Sequence, residues 1–127
     1  MLADNPIKYK TENIKNQTME NKIVPGLLDW TSGKVKGFYG RELINLEQGS
    51  VKFIKIDPFA IYPEHIHPDK TEYAFVMEGN PEFLIGAQLH NGQPGDFFIF
   101  PQQVKHSIRN PSGSNCMLLV GAIKTSG

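Results

Sequence analysis

The stretch Ile61 to Gly79, IYPEHIHPDKTEYAFVMEG, decides how the rest of the chain is read. His65 and His67 stand one residue apart, Glu72 follows five positions after His67, and Gly79 closes the run. Residues two apart on an extended strand share a face, so both imidazoles converge on one point while Ile66 faces away. Pro68-Asp69-Lys70 then turns the chain and brings the Glu72 carboxylate back toward them. Two imidazoles and a carboxylate are three of the four ligands of a mononuclear metal site. The fourth must come from elsewhere in the chain, and His106 is the candidate.

Outward from this stretch the sequence reads as strands and turns. Residues Met1 to Lys22 are rich in Asn, Lys, Glu and Thr and bury too little apolar surface to offset the cost of ordering, so 1–22 is expected to be a polar arm. The expected domain is 23–127. From Ile23 to Trp30 apolar residues return, and Gly26, Gly33, Gly37 and Gly40 divide the chain into short pieces. Arg41 to Leu46 and Val51 to Ile56 form a hairpin across Glu47-Gln48-Gly49-Ser50, with Gly49 placed for a positive φ. Glu82 to Leu89 is one further apolar segment, and Asn91-Gly92 marks the next turn. Phe97 to Phe100 is a strand stopped by Pro101, Lys105 to Asn110 alternates with His106, Ile108 and Asn110 on one face, and Asn115 to Ile123 is the last strand. Short strands about 8–12 residues apart predict an all-β sandwich or barrel.

Composition narrows the function. The 127 residues suffice for one core, and Lys plus Arg equals Asp plus Glu at 13 each. Without a basic excess, neither nucleic acid nor an anionic membrane is an expected partner. No apolar run approaches the roughly 20 residues that span a bilayer, and MLADNPIKYK lacks the apolar core of a secretion signal, so the expected compartment is the cytoplasm. Cys116 is the single cysteine and sits in an apolar run, which rules out an intrachain disulfide.

Gly95, Pro101, His106 and Asn110 make a second spaced pattern. Together the two patterns resemble the paired motifs of the cupin family, small double-stranded β-helix or jelly-roll barrels, over roughly residues 40–123. Phe59 and Gln103 stand where the family pattern has glycines. Both are expected to avoid positive φ, and Phe59 to narrow the cavity mouth. The resemblance implies a metal role for His65, His67, Glu72 and His106 one by one. It assigns no catalytic residue beyond the metal centre and no organic cofactor. Imidazole and carboxylate ligands suit one divalent transition metal per chain, whether iron, manganese, nickel, cobalt, copper or zinc, and leave coordination positions open for a small molecule. Each imidazole needs a partner for its second nitrogen, and the sequence identifies none.

The expected function is a metal-dependent enzyme of dioxygenase type acting on a small oxygenated or anionic molecule. A redox-neutral lyase or isomerase, and a binding module that does no chemistry, are the alternatives. His90 reads as exposed, Phe97, Phe98 and Phe100 as core and pocket wall, Trp30 as packing, and Lys52 and Lys55 as solvated strand positions. If Glu72 faces the metal, Ala74 and Val76 share its interior face while Tyr73, Phe75 and Met77 point outward. Such an apolar outer patch predicts a homodimer, with the polar arm as the alternative cover.

Overall fold

Period-two alternation turns about half of the described residues into strands, and turn residues set where each one stops. The computed structural model describes residues 20–125, so the expected arm falls almost wholly outside the described residues. After a 3-10 turn at Pro25–Leu27 come ten strands: β1 (Thr31–Ser32), β2 (Phe38–Asn45), β3 (Gly49–Ile56), β4 (Ile61–His65), β5 (Lys70–Glu78), β6 (Glu82–Ile85), β7 (Gln88–Asn91), β8 (Phe97–Phe100), β9 (His106–Arg109) and β10 (Cys116–Lys124). Among the described residues no helix is long and apolar enough to cross a membrane. The all-β reading holds.

Six strands form one antiparallel sheet in the order β1-β2-β3-β10-β5-β8, and four form a second in the order β4-β9-β6-β7. The chain passes repeatedly from one sheet to the other, which wraps it into a jelly roll. The long strand β10 lies between β3 and β5, with Leu118 opposite Ile54 on one side and Val76 on the other. Inner faces of the two sheets then meet in one core. Ile56, Ala74, Val76, Phe83, Cys116 and Leu118 are fully buried, and each large side chain so removed from water contributes about 1.5–3 kcal/mol. Phe83, from the smaller sheet, packs 4.3 Å from the ring of Phe98 and 5.7 Å from that of Phe100, both on β8 of the larger sheet. Burial raises the pKa of the Cys116 thiol, which packs as an apolar group.

Asn110 shows what the end of the second motif is for. It is buried, its amide donates to the carbonyls of Ile56 (3.3 Å), Asp57 (3.1 Å) and Ser114 (2.7 Å), and its oxygen accepts from the Ser112 backbone and hydroxyl. One satisfied side chain thus ties the β9–β10 turn to the end of β3.

Several local expectations change. The segment from Glu82 to Leu89 is not one strand but a hairpin, turning at Gly86-Ala87 with Gly86 at φ +61, a value suited to the first central position of a II′ turn. Gly49 has no positive φ. It lies inside β3, where a Cβ would come 2.7 Å from the Ala122 carbonyl oxygen, so close approach rather than turn geometry requires glycine. Phe59 and Gln103 do adopt positive φ, +63 and +65, against expectation. Both turns thus hold a non-glycine residue in the left-handed region. Phe59 is 68% exposed beside Gly113 and stands apart from the cavity mouth. Phe97 is exposed, so only Phe98 and Phe100 belong to the interior. His90 is half-buried against Phe98, because β7 turns Leu89 outward instead.

A left-handed conformation costs a non-glycine residue roughly 1–2 kcal/mol, partly offset by the greater unfolded-state freedom of glycine. Gln103→Gly is therefore expected to stabilise the protein by about 1 kcal/mol in urea denaturation. An unchanged or lower midpoint would show that the turn carries no strain.

Candidate metal centre

His65 ends β4 and His106 begins β9, and the two are register partners across the smaller sheet, with ring centroids 4.2 Å apart. His67 follows just beyond β4, while Ile66 between them is exposed, as the strand geometry requires. Glu72 comes from β5 of the other sheet. Its Oε1 lies 3.1 Å from His67 Nε2 and 3.2 Å from His106 Nε2. One ligand atom from each of His65, His67, Glu72 and His106 lies within 4.8 Å of all the others. All four residues singled out in the sequence meet at one point.

The partners that the sequence did not reveal are backbone carbonyls. His65 Nδ1 lies 2.9 Å from the Pro63 oxygen and His106 Nδ1 lies 3.2 Å from the Val104 oxygen. In each case the carbonyl two residues upstream is placed to accept from Nδ1–H, the tautomer in which Nε2 could ligate a metal. Phe100 stacks on the His106 ring at 4.6 Å and Tyr62 packs against His65 at 4.8 Å, so the imidazole planes are also held by aromatic contact.

The His67 loop is braced from the β8–β9 turn. Gln103 N donates to the His67 carbonyl at 2.7 Å, Gln102 N donates to Thr71 Oγ1 at 3.3 Å, and Gln102 Nε2 donates to the Pro68 carbonyl at 3.2 Å. Thr125 closes the brace by donating to the Gln102 side-chain oxygen and, through its backbone N–H, to the Asp69 carbonyl at 2.9 Å. The residue that makes this contact with His67 is the one held at positive φ.

Electrostatics favour the ligand form of Glu72 and of His67. Burial pushes the Glu72 carboxyl up, but the His106 hydrogen bond and the neighbouring charges of His67 and Lys70 outweigh it, and its pKa lies below the ordinary value. Burial is also the main reason that the His67 pKa falls, against the pull of Glu72. Near neutral pH the carboxylate is ionised and the imidazole neutral, as ligation requires. Three imidazoles and one acid fit a divalent transition metal, which held there would act as a Lewis acid and, if redox-active, support oxygen chemistry.

The cluster sits in a cavity of about 730 Å³ whose wall includes Ile54, Phe100, Leu118 and Val120. Leu28, Asp29 and residues 31–34 also line it, as does Lys52, none of which the sequence marks as part of the site.

Residues 52–121 match the cupin domain family, and that match covers more than half of the chain. The chain belongs to the cupin family. Among curated relatives, the putative germin-like protein 3-2 of Oryza sativa subsp. japonica is 32% identical over 90 residues, covering 65% of this cupin and 40% of the relative. The cupin thus spans about two fifths of that relative's length. Among solved structures, a predicted oxalate decarboxylase of Thermotoga maritima superposes with a TM-score of 0.75 at 16% identity, over 81% of this chain and 98% of the other. The polyketide cyclase RemF of Streptomyces resistomycificus gives a TM-score of 0.73 at 19% identity, over 83% and 80%. Identities this low establish the double-stranded β-helix, not a shared reaction.

Replacing Gln102 with Ala removes the side-chain half of the brace and leaves every ligand in place. Chelator competition is expected to show zinc or cobalt bound about tenfold more weakly, the loss typical of removing a supporting hydrogen bond. Equal affinities would mean that the Gln103 backbone contact holds His67 by itself.

Proposed function

We propose that this cupin is a metal-dependent enzyme of dioxygenase type, acting on a small oxygenated or anionic molecule. The observation that carries the reading is the placement of three imidazoles and a carboxylate, all within 4.8 Å of one another, on the wall of a cavity large enough for a small molecule. Each residue has a part. His65, His67, Glu72 and His106 would hold the metal. Phe100, Ile54, Leu118 and Val120 keep bulk water away from one side of a bound molecule and lower the local dielectric. Lys70, with Nζ 3.9 Å from Glu72 Oε2, adds positive charge beside the centre and favours an anion there.

A redox-neutral lyase or isomerase is the second reading, since three imidazoles and a carboxylate would equally hold a redox-inactive ion that acts as a Lewis acid. The iron-loaded protein is expected to consume oxygen with at least one compound in a panel of small acids, enols, thiols and catechols. His106→Ala should abolish that turnover, together with the rise in melting temperature that metal produces, which corresponds to about 2.7 kcal/mol at 100 times the dissociation constant. Activity retained with zinc in the absence of oxygen would replace the first reading by the second.

We also propose that the protein is a homodimer. The outer face of β5 and β8 carries Phe75, Met77, Phe97 and Ile99, which are 37%, 44%, 55% and 54% exposed, with Tyr73 stacked on Phe97 at 5.4 Å. A formal net charge of zero leaves no net repulsion between two copies that join these faces. Light scattering at micromolar concentration is expected to give a dimer mass, and Phe97→Lys to shift it toward monomer. A stable wild-type monomer would remove this proposal.

A further inference from the structure

We propose that Lys52 is an anion anchor facing the metal ligands across the cavity, so that the site takes a short-chain molecule with two anionic groups, of the dicarboxylate class. This rests on the metal-site reading above and adds the ligand's second point of attachment.

The argument begins with strand alternation. Ile54 packs on the core and Ile56 is buried within it, so Lys52 shares their inward face on β3. Its register partners are Val120 on β10 and Glu42 on β2. Lys55, three positions on, faces outward, with its ammonium 5.1 Å from the Trp30 ring centre and 5.0 Å from that of Tyr39. Two lysines of one strand therefore have opposite surroundings, and only Lys52 lines the cavity.

Lys52 is half-buried, with Val120 and Ile54 beside it on the same wall. Among the described residues no carboxylate comes within 4 Å of its ammonium. The lysine ion pair found there is that of Lys70 with Glu72. Glu42 and Asp29, the other acids around the cavity, are exposed and solvated. An ammonium on the cavity wall that no carboxylate holds within 4 Å is free to make a charge-assisted contact with an anion that enters.

Register also sets the span. The rung Ser50–Ala122–Glu72–Phe100 crosses the metal end of the larger sheet, and the next inward rung is Lys52–Val120–Ala74–Phe98. Lys52 and Glu72 are thus two strands and two residues apart, a Cα separation of roughly 12 Å from strand spacing and rise. Both side chains reach inward from those positions, so the interval between their heads suits a short carbon chain. Val120, on the strand between them, lines the intervening wall.

The test uses cobalt alone as the metal and simple acids as probes. Cobalt affinity is measured first by chelator competition; failure to bind cobalt would overturn the metal-centre reading itself. With cobalt bound, calorimetric titration of malonate, succinate and glutarate is expected to find one diacid about tenfold tighter than the monoacid of equal carbon number, the gain of one charge-assisted contact. Lys52→Met should erase that preference with cobalt affinity unchanged, and Lys52→Arg should retain it. Should Lys52→Met fail to fold, Lys52→Gln gives the same comparison. Cobalt binding without any diacid preference, or a preference that survives loss of the ammonium, would overturn the anchor.

Discussion

The contact between Glu72 and His106 is the one on which the site depends, because its two halves belong to different sheets. A carboxylate on the larger sheet meets an imidazole on the smaller one at 3.2 Å, with His67 at 3.1 Å from the same oxygen. Packed sheets stand about 10 Å apart, so side chains of this length just meet when the core beneath is filled. Phe83, Leu118 and Ile56 fill it. The aromatic contacts of Phe83 with Phe98 and Phe100 hold the two inner faces at that spacing, and Phe100 itself stacks on His106. Core packing and donor convergence are therefore one constraint.

Organisation around this contact is asymmetric. His65 and His106 are held within one sheet by strand register, with their Nδ1 atoms tied to carbonyls of their own segments. His67 lies past the end of its strand and depends on a different element, the turn containing Gln102 and Gln103. The backbone strain of that turn stands next to the ligand that most needs bracing, a common place for strain to be kept. At the opposite end of β4, Phe59 is strained in the same sense but serves the turn beside Gly113.

Inner and outer faces of the larger sheet do different work with the same alternation. On β5 the inward series Glu72, Ala74, Val76 goes from ligand to core, while Phe75 and Met77 present an apolar exterior. On β3 the inward series Lys52, Ile54, Ile56 goes from charge to core, while Lys55 lies against aromatic rings outside. Both interior series place polar groups toward the same end of the barrel. The cavity is the volume where the apolar filling stops.

What the sequence determined alone is whatever depends on local period and residue type: the strands other than the hairpin at Gly86, the one-residue spacing that points His65 and His67 the same way, and the four ligand types. One further signal was there to be used, since Lys52 and Lys55 are three apart on a strand and so cannot share a face. Tertiary structure decided the rest. Which imidazole nitrogen faces the centre depends on carbonyls presented by folded backbone, and the left-handed turns at Phe59 and Gln103 persist because surrounding contacts outweigh a local preference. Convergence of His106 on the other three ligands required two sheets to pack at one distance, and no interaction between neighbours in the chain can set that distance.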